Sequence, residues 1–138
     1  MTKDFDADEP VTRWLRFGDI AHWGIFAAFD SGKRVGGAVV AYDTPGVQIL
    51  EGRRDLAVLW DIRVHPDHRG VGIGTRLLER TIEFARASNC RRLKVESQNN
   101  NPAACHFYAK QGFRLGAVHP NAYPEYPDEV QLLWFLEL

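Results

Sequence analysis

The stretch HPDHRGVGIGTRLLER, residues 65 to 80, decides how this chain folds. It opens with a proline-centred turn, places glycines at 70, 72 and 74, and continues directly into a helical pattern. A glycine inside a helix costs about 1 kcal/mol relative to alanine. A helix start has free backbone N–H groups and a partial positive charge. Three glycines at that place therefore predict an anion that approaches the backbone closely.

The sequence around this stretch predicts an α/β domain with a mixed sheet. LAVLWDIRV (56–64) reads as the preceding strand, with Val58, Trp60, Ile62 and Val64 on one face and Leu59 and Asp61 on the other. An amphipathic helix is expected from Gly74, with Asn89 as its stop. The other expected elements are a strand hairpin at 23–30 and 34–43, strands at 91–97, 113–118 and 128–138, and a helix at 102–112.

Length and composition suit a single domain over residues 1–138, with 1–22 as a short N-terminal lead. The net charge of −1 argues against nucleic acid or an anionic membrane as the main partner. No apolar run approaches the ~18 residues that span a bilayer. The acidic N-terminus lacks a signal-peptide pattern, and the two cysteines form no CxxC motif. We expect a reduced, cytoplasmic protein.

Three phosphate-binding motifs compete for the glycine stretch. A nucleoside-triphosphate loop requires GxxxxGK[ST] and a dinucleotide loop requires GxGxxG, and the sequence meets neither. The third motif, Arg-x-x-Gly-x-Gly, is met by Arg69, Gly72 and Gly74. This stretch resembles the pyrophosphate loop of the GNAT superfamily of acetyl-coenzyme A-dependent N-acetyltransferases. A glycine-rich turn without a ligand is the alternative.

A second stretch strengthens this resemblance. NPAACHFYAKQGF (101–113) is similar to another motif of the family, Asn-x-x-Ala-x-x-x-Tyr-x-x-x-Gly-Phe. The resemblance covers about residues 23 to 138 and is closest to the streptothricin acetyltransferase branch, through KVESQNNNPAACHFYAKQGF and the terminal DEVQLLWFL. It implies a GNAT-like acyl-CoA N-acyltransferase fold with a shortened N-terminal region, since the family usually has a strand and one or two helices before the position of Trp23.

The resemblance implies that acetyl-CoA binds as cosubstrate, and we expect no metal cofactor. The backbone of Ile62, Arg63 and Val64 would pair with the pantetheine arm like an added strand. Asn101 would cap the helix at Pro102, bind the pantetheine, or do both. The pyrophosphate would be bound by a continuous loop, made of Arg69, Gly70, Val71, Gly72, Ile73, Gly74 and Thr75.

The resemblance also implies that Tyr108 protonates the departing thiolate, the alternative being ordinary core packing. The attacking amine needs a base, for which Glu96, at the end of the strand LKVES, is the first candidate and Asp61 the second. Structural salt bridges are an equal alternative for both carboxylates. His65 and His68 form an HxxH pair without a third ligand nearby, so no metal site is expected there.

The sequence therefore predicts an N-acetyltransferase that moves an acetyl group from acetyl-CoA to a primary amine of a small molecule, with a streptothricin-like antibiotic as the leading acceptor. The alternative is a coenzyme A-binding module without turnover, acting in regulation or assembly. We also expect a homodimer with residues 1 to 30 in its interface, because WGIFAAFD (23–30) carries much apolar surface for an outer strand.

Overall fold

The computed structural model describes residues 20–138. The chain order is β1 (Gly24–Asp30), β2 (Lys33–Tyr42), β3 (Leu56–Val64), α1 (Ile73–Ala87), β4 (Arg92–Gln98), α2 (Pro102–Lys110), β5 (Arg114–Pro120) and β6 (Val130–Glu137). The strands form a six-stranded sheet in the order β1-β2-β3-β4-β6-β5. Among these six described strands, β3 and β4 are the one pair that runs parallel. The predicted α/β domain with a mixed sheet is confirmed, while most of the predicted N-terminal lead, residues 1–19, lies outside the described part.

Local turn and cap chemistry produces the predicted boundaries. Ser31 and Gly32, both with positive φ (53° and 80°), join β1 to β2. A two-residue loop with this geometry matches the twist of antiparallel strands. Helix α1 ends at Ala87, and Asn89 adopts the left-handed conformation (φ 61°) just beyond it. The predicted hairpin and helix stop are therefore both confirmed.

A β-bulge reverses one predicted face of β3. Strict alternation predicts a common face for Val58, Trp60, Ile62 and Val64, and this prediction is wrong. The register between β2 and β3 shifts at this point, because the neighbouring residues Val39 and Val40 lie opposite Asp61 and Leu59, with Trp60 as the extra residue between them. One extra residue exchanges the two faces of the strand beyond it. Trp60 consequently packs against the cluster that contains Trp23, whereas Ile62 and Val64 pack on the helix side.

The described residues form two core clusters, one on each face of the sheet. The larger one, which we call the helix-side cluster, joins α1 and α2 to the central strands, with Leu78, Leu93 and Tyr108 among its buried members. The smaller cluster lies on the opposite face, where Trp23 donates its indole N–H to the Thr44 hydroxyl at 2.8 Å. Within residues 20–138, no helix is long and apolar enough to cross a membrane.

Replacing Leu93, which is fully buried in the helix-side cluster, tests this core. Leu93→Ala should lower the free energy of unfolding by about 2–5 kcal/mol, because it removes buried methyl groups and leaves a cavity. Urea denaturation measures this loss. Leu115→Ala on β5, where the side chain is 47% exposed, is the control and should change the free energy of unfolding by no more than about 0.5 kcal/mol. Equal losses in both variants would contradict the assignment of the core.

Candidate active site

The parallel strands β3 and β4 separate soon after they begin. Their backbone pairing is limited to Leu56–Arg92, Ala57–Leu93 and Val58–Lys94. Beyond these pairs, β3 remains paired with β2 on one side, and β4 remains paired with β6 on the other. Among the described residues, no strand covers the second edge of β3 from Ile62 to Val64. The structure thus contains a gap in the sheet, open at the carboxyl ends of two parallel strands.

The loop before α1 presents free backbone N–H groups. The first helical hydrogen bond of α1 runs from the Arg76 N–H to the Gly72 carbonyl at 3.1 Å. In the described part of the chain, the N–H groups of residues 70–75 donate to no protein acceptor. Gly70 and Gly72 have φ of 84° and 87°, and a Cβ atom at either position would have no atom within 4 Å. The backbone is therefore bare on a side where an anion could approach it.

Other residues of this loop have different contacts. A Cβ atom on Gly74 would lie 3.5 Å from the ring of Phe107, an ordinary van der Waals distance, so the start of α1 packs against α2 at this point. The Thr75 hydroxyl accepts a hydrogen bond from the Gln111 side chain at 3.1 Å, and its own proton stays available for donation. Arg69 donates from Nε to the Val64 carbonyl at 3.3 Å and is otherwise exposed.

Asn101 caps helix α2, as one of its two expected roles requires. Its side-chain oxygen accepts a hydrogen bond from the Ala104 N–H at 3.2 Å, and Pro102 occupies the first helical position. Within residues 20–138, the amide NH₂ of Asn101 has no hydrogen-bond acceptor. The cap therefore leaves the donor half of the side chain free.

Tyr108 lies in the helix-side cluster and is only 6% exposed. Burial, the nearby negative charge of Asp61 and the Cys105 thiol together raise the pKa of Tyr108 to about 12. Its ring contacts Phe107 and Phe113, each with a centroid separation of 5.6 Å. Its hydroxyl has no hydrogen-bond partner among the described residues. Tyr108 is therefore a core residue that also keeps a protonated hydroxyl free at neutral pH.

A polar cleft of about 830 Å³ lies beside the gap, on the face opposite the helices. Alternation along β4 directs Lys94, Glu96 and Gln98 to this face, while Leu93 and Val95 point to the helix-side cluster. Lys94 is nearly buried and donates to the Ile49 carbonyl at 2.9 Å, with Glu51 as its ion-pair partner at 3.4 Å. The connection between β2 and β3 thus forms one side of the cleft, and side chains of the strands form its base.

The two candidate carboxylates line the same cleft but differ in their partners. Asp61 forms an ion pair with Arg63 at 2.9 Å, so its charge is compensated. Glu96 accepts hydrogen bonds from the Tyr123 hydroxyl at 2.6 Å and from the Gln131 side-chain amide. In the described part of the chain, Glu96 has no basic partner. Sequence reasoning missed Tyr123 and Gln131, because they lie 27 and 35 residues from Glu96 and no local pattern marks them.

The two histidines of the HxxH pair make separate polar contacts. His68 contacts Asp30 at 3.3 Å, and His65 accepts a hydrogen bond from the Asp67 N–H at 3.2 Å. Across residues 20–138, no group of three or more histidine, cysteine or carboxylate side chains is placed to hold a metal ion.

Comparisons with known proteins agree with the resemblance carried by the two motifs. Residues 2–113 match the model of the acetyltransferase (GNAT) family, so the match begins nearer the N-terminus than the motifs indicate. Streptothricin acetyltransferase A from Bacillus subtilis (strain 168) is 37% identical over 91 residues, which are 64% of this chain and 53% of that protein. The Escherichia coli streptothricin acetyltransferase is 34% identical over 84 residues, 59% of this chain and 48% of that protein. The chain spans about half the length of these curated relatives.

Solved structures show the same architecture. A crystal structure of nourseothricin acetyltransferase superposes with a TM-score of 0.74 at 30% identity, covering 87% of this chain and 68% of that chain. A protein from Bacillus anthracis str. Ames, assigned as a streptothricin acetyltransferase and solved in complex with acetyl coenzyme A, superposes with a TM-score of 0.73 at 30% identity, covering 83% of this chain and 61% of that chain. Because the family model matches well over half of its residues, this chain belongs to the GNAT acetyltransferase family.

Proposed function

We propose that this protein transfers an acetyl group from acetyl-CoA to a primary amine of a small molecule. The gap between β3 and β4 carries the proposal, because it lies between the helix start that follows β3 and the polar cleft on the other face. A thioester in the gap would have its acyl carbon within reach of an amine in the cleft. The acetyl coenzyme A bound to the Bacillus anthracis relative supports the choice of cosubstrate.

Residues on the helix side of the gap would bind acetyl-CoA. The edge of β3 at Ile62–Val64, with which no described strand pairs on the β4 side, suits main-chain pairing with the pantetheine amides. The Asn101 amide, which has no acceptor among the described residues, is a further candidate donor. The bare backbone of residues 70–75 suits the pyrophosphate, with the Thr75 hydroxyl and the Arg69 guanidinium as further donors. Among the described residues, the backbone N–H groups of 70–75, the Asn101 amide and the Thr75 hydroxyl donate to no protein group, and Arg69 uses one of its nitrogens alone.

The reaction itself needs a base, an oxyanion donor and a group that stabilises the leaving thiolate. The amine nitrogen attacks the thioester carbon, its proton passes to Glu96 directly or through a water molecule, and the C–S bond breaks as the amide forms. A backbone N–H near Val64 would stabilise the oxyanion. Glu96 is preferred to Asp61 as the base, since Arg63 already compensates Asp61.

Tyr108 would act on the leaving group mainly as a hydrogen-bond donor. A phenol whose pKa is about 12 is a weaker acid than a thiol of pKa about 8.5, so complete proton transfer to the thiolate is unfavourable. A hydrogen bond from the hydroxyl to the developing sulfur charge still stabilises it. The general-acid role implied by the resemblance thus becomes, in this proposal, electrostatic stabilisation by a hydroxyl that stays protonated.

The proposed acceptor is a streptothricin-like amine, because curated relatives at 34% and 37% identity act on streptothricin by name. Cys90 and Cys105 are free thiols, which supports a location in the cytoplasm.

A coenzyme A-binding module without turnover is the alternative. Release of free thiol from acetyl-CoA, measured on streptothricin and a panel of simple primary amines, separates the two functions. If the protein binds acetyl-CoA but releases no thiol with any of these amines, it is a coenzyme A-binding module and not an acetyltransferase.

Gly72→Val tests the pyrophosphate loop. The branched side chain would lie over the bare backbone, and the affinity for acetyl-CoA should fall at least about tenfold, the equivalent of 1.4 kcal/mol. Isothermal titration calorimetry measures it. Gly52→Val is the matched control, because Gly52 also has a positive φ (69°) and open space around it but lies in the connection between β2 and β3. Equal affinities in both variants would reject the loop assignment.

Tyr108→Phe tests the role of the hydroxyl. We expect kcat to fall about 10- to 100-fold, the usual value of one hydrogen bond to a charged group, while acetyl-CoA affinity is retained. Because the pKa of Tyr108 is about 12, wild-type kcat should show no loss from deprotonation of this residue between pH 7 and about 10. Steady-state kinetics under conditions where chemistry limits the rate measures both effects. An unchanged kcat would leave Tyr108 as a packing residue.

We further propose a homodimer with residues 1 to 30 in its interface. Within this segment, Trp23 is buried and Phe26 packs on Phe84, but Ile25 and Phe29 on β1 are 54% and 65% exposed. Apolar side chains beside a sheet edge favour association. Light scattering at micromolar concentration should give twice the mass of the chain, and Phe29→Lys should shift the protein toward monomer. A wild-type monomer that acetylates amines would contradict the dimer.

A further inference from the structure

The hydrogen bonds of Glu96 fall on one of its two carboxylate oxygens. The Tyr123 hydroxyl donates to Oε1 at 2.6 Å, and the Gln131 side-chain amide donates to the same atom. Among residues 20–138, Oε2 has no donor. Two donors on one oxygen restrain the carboxylate, because rotation about the last side-chain bond would break both bonds.

A second layer of hydrogen bonds restrains the two donors. The Gln98 side-chain amide donates to the Tyr123 hydroxyl at 3.2 Å, so this hydroxyl is oriented to donate toward Glu96. The Gln131 side-chain oxygen lies 2.8 Å from Nδ1 of His119, which leaves the NH₂ of Gln131 for Glu96. His119, Gln131 and Gln98 occupy neighbouring register positions on β5, β6 and β4. Each donor to Glu96 thus has its own partner on the sheet.

The loop that carries Tyr123 is attached to the end of β4 by two asparagines. Asn99 accepts a hydrogen bond from the Val130 N–H at 2.9 Å, and Asn100 donates to Glu129 at 2.9 Å. The three consecutive asparagines at 99–101 therefore have two structural roles. Its first two members hold the loop between β5 and β6, and the third caps α2.

The negative charge of the Glu96 carboxylate remains available to a bound ligand. Within the described residues no lysine or arginine pairs with it, and Lys94, the basic side chain that lines the cleft, is engaged with Ile49 and Glu51. An ionised carboxylate with one restrained and one free oxygen attracts an ammonium group. Once that group has lost one proton to water, the carboxylate can accept the second proton as the neutral amine attacks.

We propose that Tyr123 and Gln131 are positioning residues that hold Glu96 by one carboxylate oxygen and present the other to a cationic acceptor amine. The inference rests on the proposed function and adds to it the selection of a positively charged acceptor. Neither residue touches the reacting atoms. Their effect reaches the reaction through the orientation of Glu96.

Tyr123→Phe tests the proposal by removing one donor. The probe is whichever amine, from streptothricin and the simple amines, gives the highest kcat/KM with the wild-type protein. We expect kcat/KM for that amine to fall about 10- to 100-fold, with an unchanged KM for acetyl-CoA. In the Glu96→Gln background the same change should have less than about a twofold effect, because the two residues act as one unit. Gln131→Leu should reproduce the pattern if Tyr123→Phe folds poorly.

Tyr126→Phe is the matched control, since Tyr126 lies in the same loop and is 58% exposed. Its kinetics should equal those of the wild type. The proposal is overturned if Tyr123→Phe behaves like Tyr126→Phe, if it raises the KM for acetyl-CoA to the same extent as that for the amine, or if it costs as much in the Glu96→Gln background. A wild-type protein that releases thiol with none of the amines overturns the proposed function as well, and is recognised before any variant is made.

Discussion

A parallel strand pair that stays together for only three residues sets the arrangement of this molecule. Backbone N–H and C=O groups inside a protein need hydrogen-bond partners, so a sheet normally keeps its strands paired to their ends. Here β3 and β4 begin as neighbours and then separate. From Ile62 to Val64 no described strand pairs with β3 on the β4 side, and a polar cleft lined by side chains of both strands lies beside this gap.

The β-bulge at Trp60 allows one strand to serve both sides of this gap. Before the bulge, Val58 contributes to the cluster opposite the helices, and beyond it Ile62 and Val64 pack under α1. Asp61 lies at the point of exchange, lining the cleft while its charge raises the pKa of Tyr108 on the helix side. The bulge thus places an acidic residue between the two halves of the candidate site.

The two carboxylates of the cleft are chemically alike, and their different surroundings give them different properties. Asp61 and Glu96 have the same chemistry and line the same cleft. Arg63 compensates the first, whereas neutral donors restrain the second and leave its charge available. Tyr108 shows the same effect, because burial makes its hydroxyl a weaker acid and a more persistent hydrogen-bond donor.

The sequence by itself determined the features that depend on a few neighbouring residues. The left-handed Ser31-Gly32 turn, the Asn101-Pro102 helix start, and the glycines that bare the backbone before α1 follow from local conformational preferences. Only the tertiary structure decided the exchange of faces in β3, the insertion of β6 between β4 and β5, and the restraint of Glu96 by Tyr123 and Gln131. A bulge depends on the register with a neighbouring strand, and the Glu96 contacts join residues 27 and 35 positions apart, so no periodicity within one segment encodes them.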